Sequence, residues 1–83
     1  ESDLYTIEVE ATAEDDNAQL EVIAVIDSEE LKQKTITLKS GYEKYPVNMP
    51  TMCRGTKLAA KLRWRGRGVV ISGINLIAEP RAV

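Results

Sequence analysis

Residues 5–13 read Tyr-Thr-Ile-Glu-Val-Glu-Ala-Thr-Ala, and this stretch decides the fold. Apolar side chains occupy every second position from Tyr5 to Ala13, and polar side chains occupy the positions between them. A period of two is typical of a β-strand with one buried side and one solvent-facing side. The sequence therefore predicts a strand with Glu8 and Glu10 on its exposed side.

The same alternation recurs along the chain, at 19–27, 34–39, 57–65 and 69–78. Short polar or glycine-containing segments separate these runs, which predicts two hairpins, one of 5–13 with 19–27 and one of 57–65 with 69–78. Gly73 inside the last run indicates a bulge or a close backbone approach. We therefore predict an all-β fold, a small antiparallel sandwich or barrel of five to six strands, in a single domain spanning 1–83.

Two segments break the alternation. Residues 28–33 begin with Ser28, a good helix N-cap, so one short helical turn competes there with a plain loop. Residues 40–56 contain Pro46 and Pro50, which predicts a long irregular stretch or an edge strand. Larger side chains in this stretch either fold over a thin core, which we favour, or form an interface; they are Tyr42, Tyr45, Met49, Met52 and Cys53.

Charge divides the chain into two unlike parts. The net charge is −2, but residues 1–31 hold 11 of the 13 acidic residues and no basic one, whereas residues 32–83 hold all 11 basic residues. Asymmetry of this size indicates electrostatic partners. The candidate acidic face comprises Glu8, Glu10, Glu14, Asp15 and Asp16. The candidate basic face comprises Arg54, Lys57, Lys61, Arg63, Arg65 and Arg67.

The basic residues concentrate on and around the strand predicted at 57–65. Alternation places Lys61, Arg63 and Arg65 on one side of this strand, and it places Leu62 and Trp64 on the other, facing the core. A ridge of three neighbouring cations on one side of a strand is the sharpest functional feature that the sequence predicts.

Three interpretations of the charged residues stay open. Glu8 and Glu10 could pair with the basic strand inside one domain, which would be an ordinary surface. The acidic patch of one copy could instead meet the basic patch of the next, or of a larger complex, and so drive assembly. The third interpretation is an OB-like nucleic-acid-binding domain that uses residues 54–67 to contact phosphates. Among the functional interpretations we favour assembly with protein partners.

Groups that usually carry chemistry are absent from the sequence. The chain has no histidine and only one cysteine, Cys53, which removes the commonest general base and the commonest zinc ligands. Residues 66–68 lack the lysine and the spacing of a phosphate-binding loop, and residues 14–17 lack the spacing of a calcium-binding loop. We therefore expect no catalytic site, metal site, cofactor or small-molecule substrate, and we predict a binding protein rather than an enzyme.

Four features of the sequence bear on where in the cell the protein is found. No apolar run approaches the roughly 20 residues that span a bilayer, and Glu1-Ser2-Asp3 does not begin a signal peptide, so we expect no membrane association. A lone cysteine fits the reducing cytoplasm or the inside of a viral particle. The turn Arg-Gly-Arg-Gly at 65–68, followed by Val-Val-Ile-Ser-Gly-Ile at 69–74, resembles the closing hairpins of β-rich modules in phage tail and other virion proteins. This resemblance implies a component of a particle.

Overall fold

The chain folds into six strands, which form two three-stranded antiparallel sheets. The structure, a computed structural model, describes residues 1–80 except the side chains at positions 32 and 50–52. The predicted tail at 81–83 and the side chain of Met52 therefore lie outside the described residues. The strands are β1 (Ser2–Ala13), β2 (Ala18–Ile26), β3 (Glu29–Leu38), β4 (Gly41–Gly55), β5 (Leu58–Arg65) and β6 (Val70–Pro80).

The two sheets pack face to face as a sandwich. Strands β4-β1-β6 form one sheet, here called the β1 sheet, and strands β3-β2-β5 form the other, here called the β2 sheet. Apolar side chains from both sheets share one core. The all-β prediction is confirmed in its sandwich form. The sheets do not close, so the predicted alternative of a barrel, and with it an OB-like barrel, is wrong.

Strand β1 supplies the centre of the core because its alternation matches the pleat of a strand. Its odd-numbered residues from 7 to 13 are all buried, as the sequence predicts. A register shift between Leu4 and Thr6 breaks the alternation at the start of the strand. As a result Leu4 is buried, and Tyr5, which we expected on the inner side, is 49% exposed.

Strand β2 is the central strand of its sheet and is covered on both sides. Leu20 and Val22 are fully buried on the inner side, and Ile23 on the outer side is only 4% exposed. The sequence indicated this double covering, since Ile23 and Val25 interrupt an otherwise regular alternation.

A two-residue turn joins β2 to β3. Asp27 and Ser28 both have positive φ angles, 49° and 71°, the combination that a type I′ hairpin requires. The Asp27 carboxylate accepts hydrogen bonds from the backbone N–H groups of Thr56 and Lys57, at 3.0 and 2.8 Å. The helical turn predicted at 28–33 is therefore wrong, because a tight hairpin leads directly into β3.

Both predicted hairpins are also wrong, because β1 and β2 lie in different sheets, and so do β5 and β6. The link at 14–17 carries the chain from β1 in one sheet to β2 in the other, and the link at 66–69 carries it back from β5 to β6. Alternation fixes which side of a strand is buried, but it does not identify the neighbouring strand. The segment at 65–74 that resembles a virion hairpin is therefore a crossing between sheets.

The two links lie against each other at one end of the sandwich. The Glu14 N–H donates to the Arg67 carbonyl at 3.4 Å. Gly68 has a φ of 58°, and a Cβ added there would lie 2.5 Å from Cγ of Glu14. Glycine therefore suits position 68, both for its backbone conformation and for the close approach of the Glu14 side chain.

Residues 41–55 form the edge strand β4, so the irregular stretch predicted at 40–56 is largely wrong and its edge-strand alternative is confirmed. Proline is tolerated at a sheet edge because one side of the strand makes no ladder hydrogen bonds. The pairing with β1 skips from Asn48 to Cys53, opposite the bulge at Tyr5. Met49 and Cys53 are buried and Tyr45 packs against the core, as we favoured, whereas Tyr42 is 56% exposed and does not cover it.

Candidate binding surfaces

Glu8 and Glu10 lie on the outer side of the β1 sheet. Glu8 is opposite Pro46 and Asn75, and no described residue makes a hydrogen bond or ion pair with its side chain. Glu10 accepts a hydrogen bond from the Tyr42 hydroxyl. This hydrogen bond, followed by desolvation, raises the pKa of Tyr42 above its ordinary value.

Lys61, Arg63 and Arg65 lie on the outer side of the β2 sheet. Strand β5 alternates as predicted, with half-buried Leu62 facing inward and these three side chains exposed. The outer sides of the two sheets face opposite directions. Glu8 and Glu10 therefore cannot pair with this cationic ridge inside one molecule, which removes the first of the three interpretations in that form.

Two ridge cations pair instead with acids of their own sheet. Lys61 Nζ lies 3.0 Å from Glu30 Oε2, and this pair reaches from β5 across β2 to β3. Lys61 is opposite Ile23 in the register, so its aliphatic stem contributes to the cover over that buried residue. Exposed pairs of this kind contribute about 0.2–1 kcal/mol.

Glu21 and Arg63 form the other pair of the ridge. They are opposite each other in the register, and their charged atoms are 3.5 Å apart. That separation is at the outer limit for a hydrogen bond, and Oε1 of Glu21 is shielded from solvent without a hydrogen-bond partner among the described residues. Arg63 is therefore the counter-charge of this carboxylate and is only partly available to an external partner.

Within the group of cations on β5 and the link after it, Arg65 and Arg67 stay free for a partner. No acid among residues 1–80 lies within ion-pairing distance of either side chain. Both line a shallow concavity at one end of the sandwich, together with Asp15, Asp16 and Gln19. The acidic link and the basic link thus lie side by side, so Glu14, Asp15 and Asp16 do not share a surface with Glu8 and Glu10.

Arg54 and Lys57 lie away from the ridge. Arg54 is in β4 of the other sheet, where its Nε lies 3.0 Å from Oδ1 of Asp3. Lys57 follows β4 at the opposite end of the sandwich, where its backbone contacts Asp27. Of the six basic residues predicted to form one face, the structure brings together Lys61, Arg63, Arg65 and Arg67.

Trp64 was predicted to lie in the core, and that prediction is wrong. The side chain is 50% exposed, although the residue is opposite fully buried Leu20 in the register. It lines a second shallow concavity with Arg63, Arg65 and Thr35. Trp64 lies next to the end of β5, an edge strand, where few residues cover it, and the sequence alone does not show that β5 is at an edge.

Neither a metal site nor a membrane-spanning helix was found within the described residues, nor was a similar known protein found. Among residues 1–80, no three or more Cys, Asp or Glu side chains come together as a metal site would require. The described part of the chain also contains no helix with the length and apolarity needed to cross a membrane. No family model, curated protein or solved structure matches this chain.

Proposed function

We propose that this chain is a non-catalytic assembly module, which associates with further copies of itself or with a larger complex through two faces of opposite charge. The acidic face contains Glu8 and Glu10, and the basic face contains Lys61, Arg63, Arg65 and Arg67. The proposal depends on one observation, that Glu8 and Glu10 lie on the outer side of one sheet whereas Lys61, Arg63 and Arg65 lie on the outer side of the other. Arg67 adjoins Arg65 in the link after β5.

Opposed faces of unlike charge favour a head-to-tail contact. The acidic face of one copy can meet the basic face of the next, and the resulting pair still has one free face of each sign, one on each copy. Such heterologous contacts build rings or filaments rather than closed two-fold dimers. Complementary charge of this kind mainly sets orientation and speeds encounter.

The two faces differ in how many of their charges are free. Lys61 and Arg63 are partly neutralised by Glu30 and Glu21, so Arg65 and Arg67 carry most of the available positive charge. We therefore expect the contact to centre on the end of β5 and on the link that follows it.

Sedimentation velocity across a salt series tests this proposal. Between ~0.01 M and ~1 M NaCl the screening length falls from about 30 Å to about 3 Å, which removes attraction between exposed faces. We expect assembly at low salt that dissolves into smaller species as salt rises. A single species of unchanged size at every salt concentration would count against charged-face assembly.

Nucleic-acid binding is the second candidate, and the exposure of Trp64 beside Arg63 and Arg65 favours it. Single-strand binders combine a basic surface with aromatic side chains on which bases stack. Trp64 is the only tryptophan, so its fluorescence reports on this site alone. Titration with single-stranded DNA and RNA at low salt should quench the fluorescence, and the quenching should weaken steeply as salt is added. Unchanged fluorescence with both nucleic acids would exclude this use of the site.

A further inference from the structure

One side of the sandwich is incompletely covered. Every fully buried apolar side chain among the described residues belongs to β1, β2, β3 or β4, and none belongs to β5 or β6. Both of these strands nevertheless carry apolar residues on their inner sides. Leu62 and Leu76 are half-buried, and Trp64 and Ile74 are 50% and 48% exposed. These four residues are here called the open seam.

Strand β6 borders the open seam and has a free edge, because it is the outermost strand of the β1 sheet in the part of the chain that the structure describes. Val70 and Ile77, on its outer side, are also about half exposed. A long, apolar strand with an unpaired edge is a ready template for pairing with another chain.

The other three edge strands carry the features that discourage such pairing. Strand β5 has Lys61, Arg63 and Arg65, β4 has two prolines, and β3 has lysines at positions 32 and 34. By contrast, residues 70–78 contain no charge and no proline. Strand β6 is therefore the least protected edge, and its only such features among residues 70–80 are a bulge at Ser72, where the pairing with β1 skips from Gly73 to Ile71, and Glu79 and Pro80 at its end.

We propose that β6 pairs antiparallel with β6 of a second copy, centred on Ile74, to form a continuous six-stranded sheet. Residues 70–78 paired with themselves place no like charges opposite each other, so a second copy suits this edge better than a charged segment would. The pairing is two-fold symmetric, as in most soluble dimers. It also brings the two open seams together beneath the joined sheet, which buries Trp64 and Ile74 of both copies.

This dimer is independent of the charged-face assembly and has the opposite dependence on salt. Two-fold pairing at β6 places the two β2 sheets on the same side of the joined sheet, so that β5 of one copy faces β5 of the other copy. Both cationic ridges then point in the same direction. Salt screens their mutual repulsion, so we expect this dimer to persist or tighten at ~1 M NaCl, where charged-face assembly dissolves.

A charge placed in the middle of β6 tests the pairing. Ile74→Lys introduces a cation at the proposed two-fold centre, and Leu31→Lys is the matched control, since Leu31 is similarly exposed, at 46%, but lies on β3. Sedimentation velocity at ~1 M NaCl should show a wild-type dimer, a dissociation constant raised at least about tenfold in Ile74→Lys, and no change in Leu31→Lys. Circular dichroism establishes that both variants are folded.

Hydrogen exchange of the wild-type protein provides a second readout that needs no variant. Amides in 70–78 should exchange more slowly at high than at low protein concentration, whereas amides in 29–38 should not respond. Three results would overturn the proposal. They are a wild-type monomer at all concentrations, equally tight dimers of wild type and Ile74→Lys, and exchange in 70–78 that is independent of concentration.

Discussion

Replacement of Asp27 by glycine should destabilise the fold, because the Asp27 side chain holds the β2–β3 turn against the link between β4 and β5. The Asp27 carboxylate accepts the N–H groups of Thr56 and Lys57 at 3.0 and 2.8 Å, which ties the β2–β3 turn to the link between β4 and β5. Glycine keeps the positive φ of 49° without strain, so the change isolates the loss of the two hydrogen bonds.

The expected loss follows from the strength of these bonds. Hydrogen bonds to a charged group contribute about 1.5–3 kcal/mol each, and the lower end applies here because both N–H groups are exposed and can bind water instead. We therefore expect Asp27→Gly to lose about 2–3 kcal/mol. For a domain of this size, each 1 kcal/mol shifts Tm by about 4–8 °C, so the melting temperature should fall by at least about 8 °C.

Thermal and urea unfolding followed by circular dichroism measure this loss, and two variants control for other effects. Asp27→Asn keeps an acceptor oxygen and should lose roughly half as much, because neutral hydrogen bonds are about half as strong. Ser28→Gly changes the other positive-φ residue of the turn, at 71°, and should be close to neutral. The reasoning is refuted if Asp27→Gly melts at the temperature of wild type, or if Ser28→Gly is equally destabilising.

Three further predictions concern packing and ionisation. Ile23→Ala should cost about 2–4 kcal/mol in urea unfolding although Ile23 is on the outer side of its sheet, and a loss below about 0.5 kcal/mol would contradict its burial. Gly55→Ala should cost about 1–3 kcal/mol, because the new Cβ would lie 2.4 Å from Cγ2 of Ile26, and an unchanged melting temperature would show that this contact relaxes freely. The raised pKa of Tyr42 means that its contribution to stability is present below pH 10.0 and is lost as the pH rises through the folded-state pKa. In ultraviolet titration Glu10→Gln should therefore lower the pKa of Tyr42, and identical titration curves would contradict the hydrogen bond.

The sequence predicts which residues are buried better than it predicts how the strands connect. Alternation in β1, β2 and β5 identified strands and most of their inner-side residues, because the pleat has a period of two. The same pattern does not show which strands pair with each other in a sheet. Strands adjacent in sequence were therefore assigned to hairpins, although the links at 14–17 and 66–69 cross between sheets.

Two local errors have specific causes. Ser28 suits a helix N-cap and also suits the second position of a tight hairpin turn, and only the positive φ angles of the folded chain distinguish the two. The prolines of β4 suggested a loop, yet an edge strand tolerates them because its outer side has no ladder bonds to lose.

The candidate surfaces could be predicted only in part for the same reason. Lys61, Arg63 and Arg65 share one side of a single strand, so alternation alone places them together. The separation of Arg54 from this ridge depends on which sheet β4 joins, and the exposure of Trp64 depends on the missing cover at the end of β5. Neither property is local in sequence.

A mixing experiment tests the role of the charged faces most directly. Glu8→Lys and Arg65→Glu each reverse one free charge without breaking an ion pair among the described residues, and Lys39→Glu is a control of equal charge change between β3 and β4. In low-salt sedimentation we expect Glu8→Lys alone and Arg65→Glu alone to lose assembly. Their equimolar mixture should regain it, because each variant then offers the charge that the other lacks. The control Lys39→Glu should assemble like the wild type. Assembly of each single variant at the wild-type level, or a mixture that stays dissociated, would contradict head-to-tail contact between these two faces.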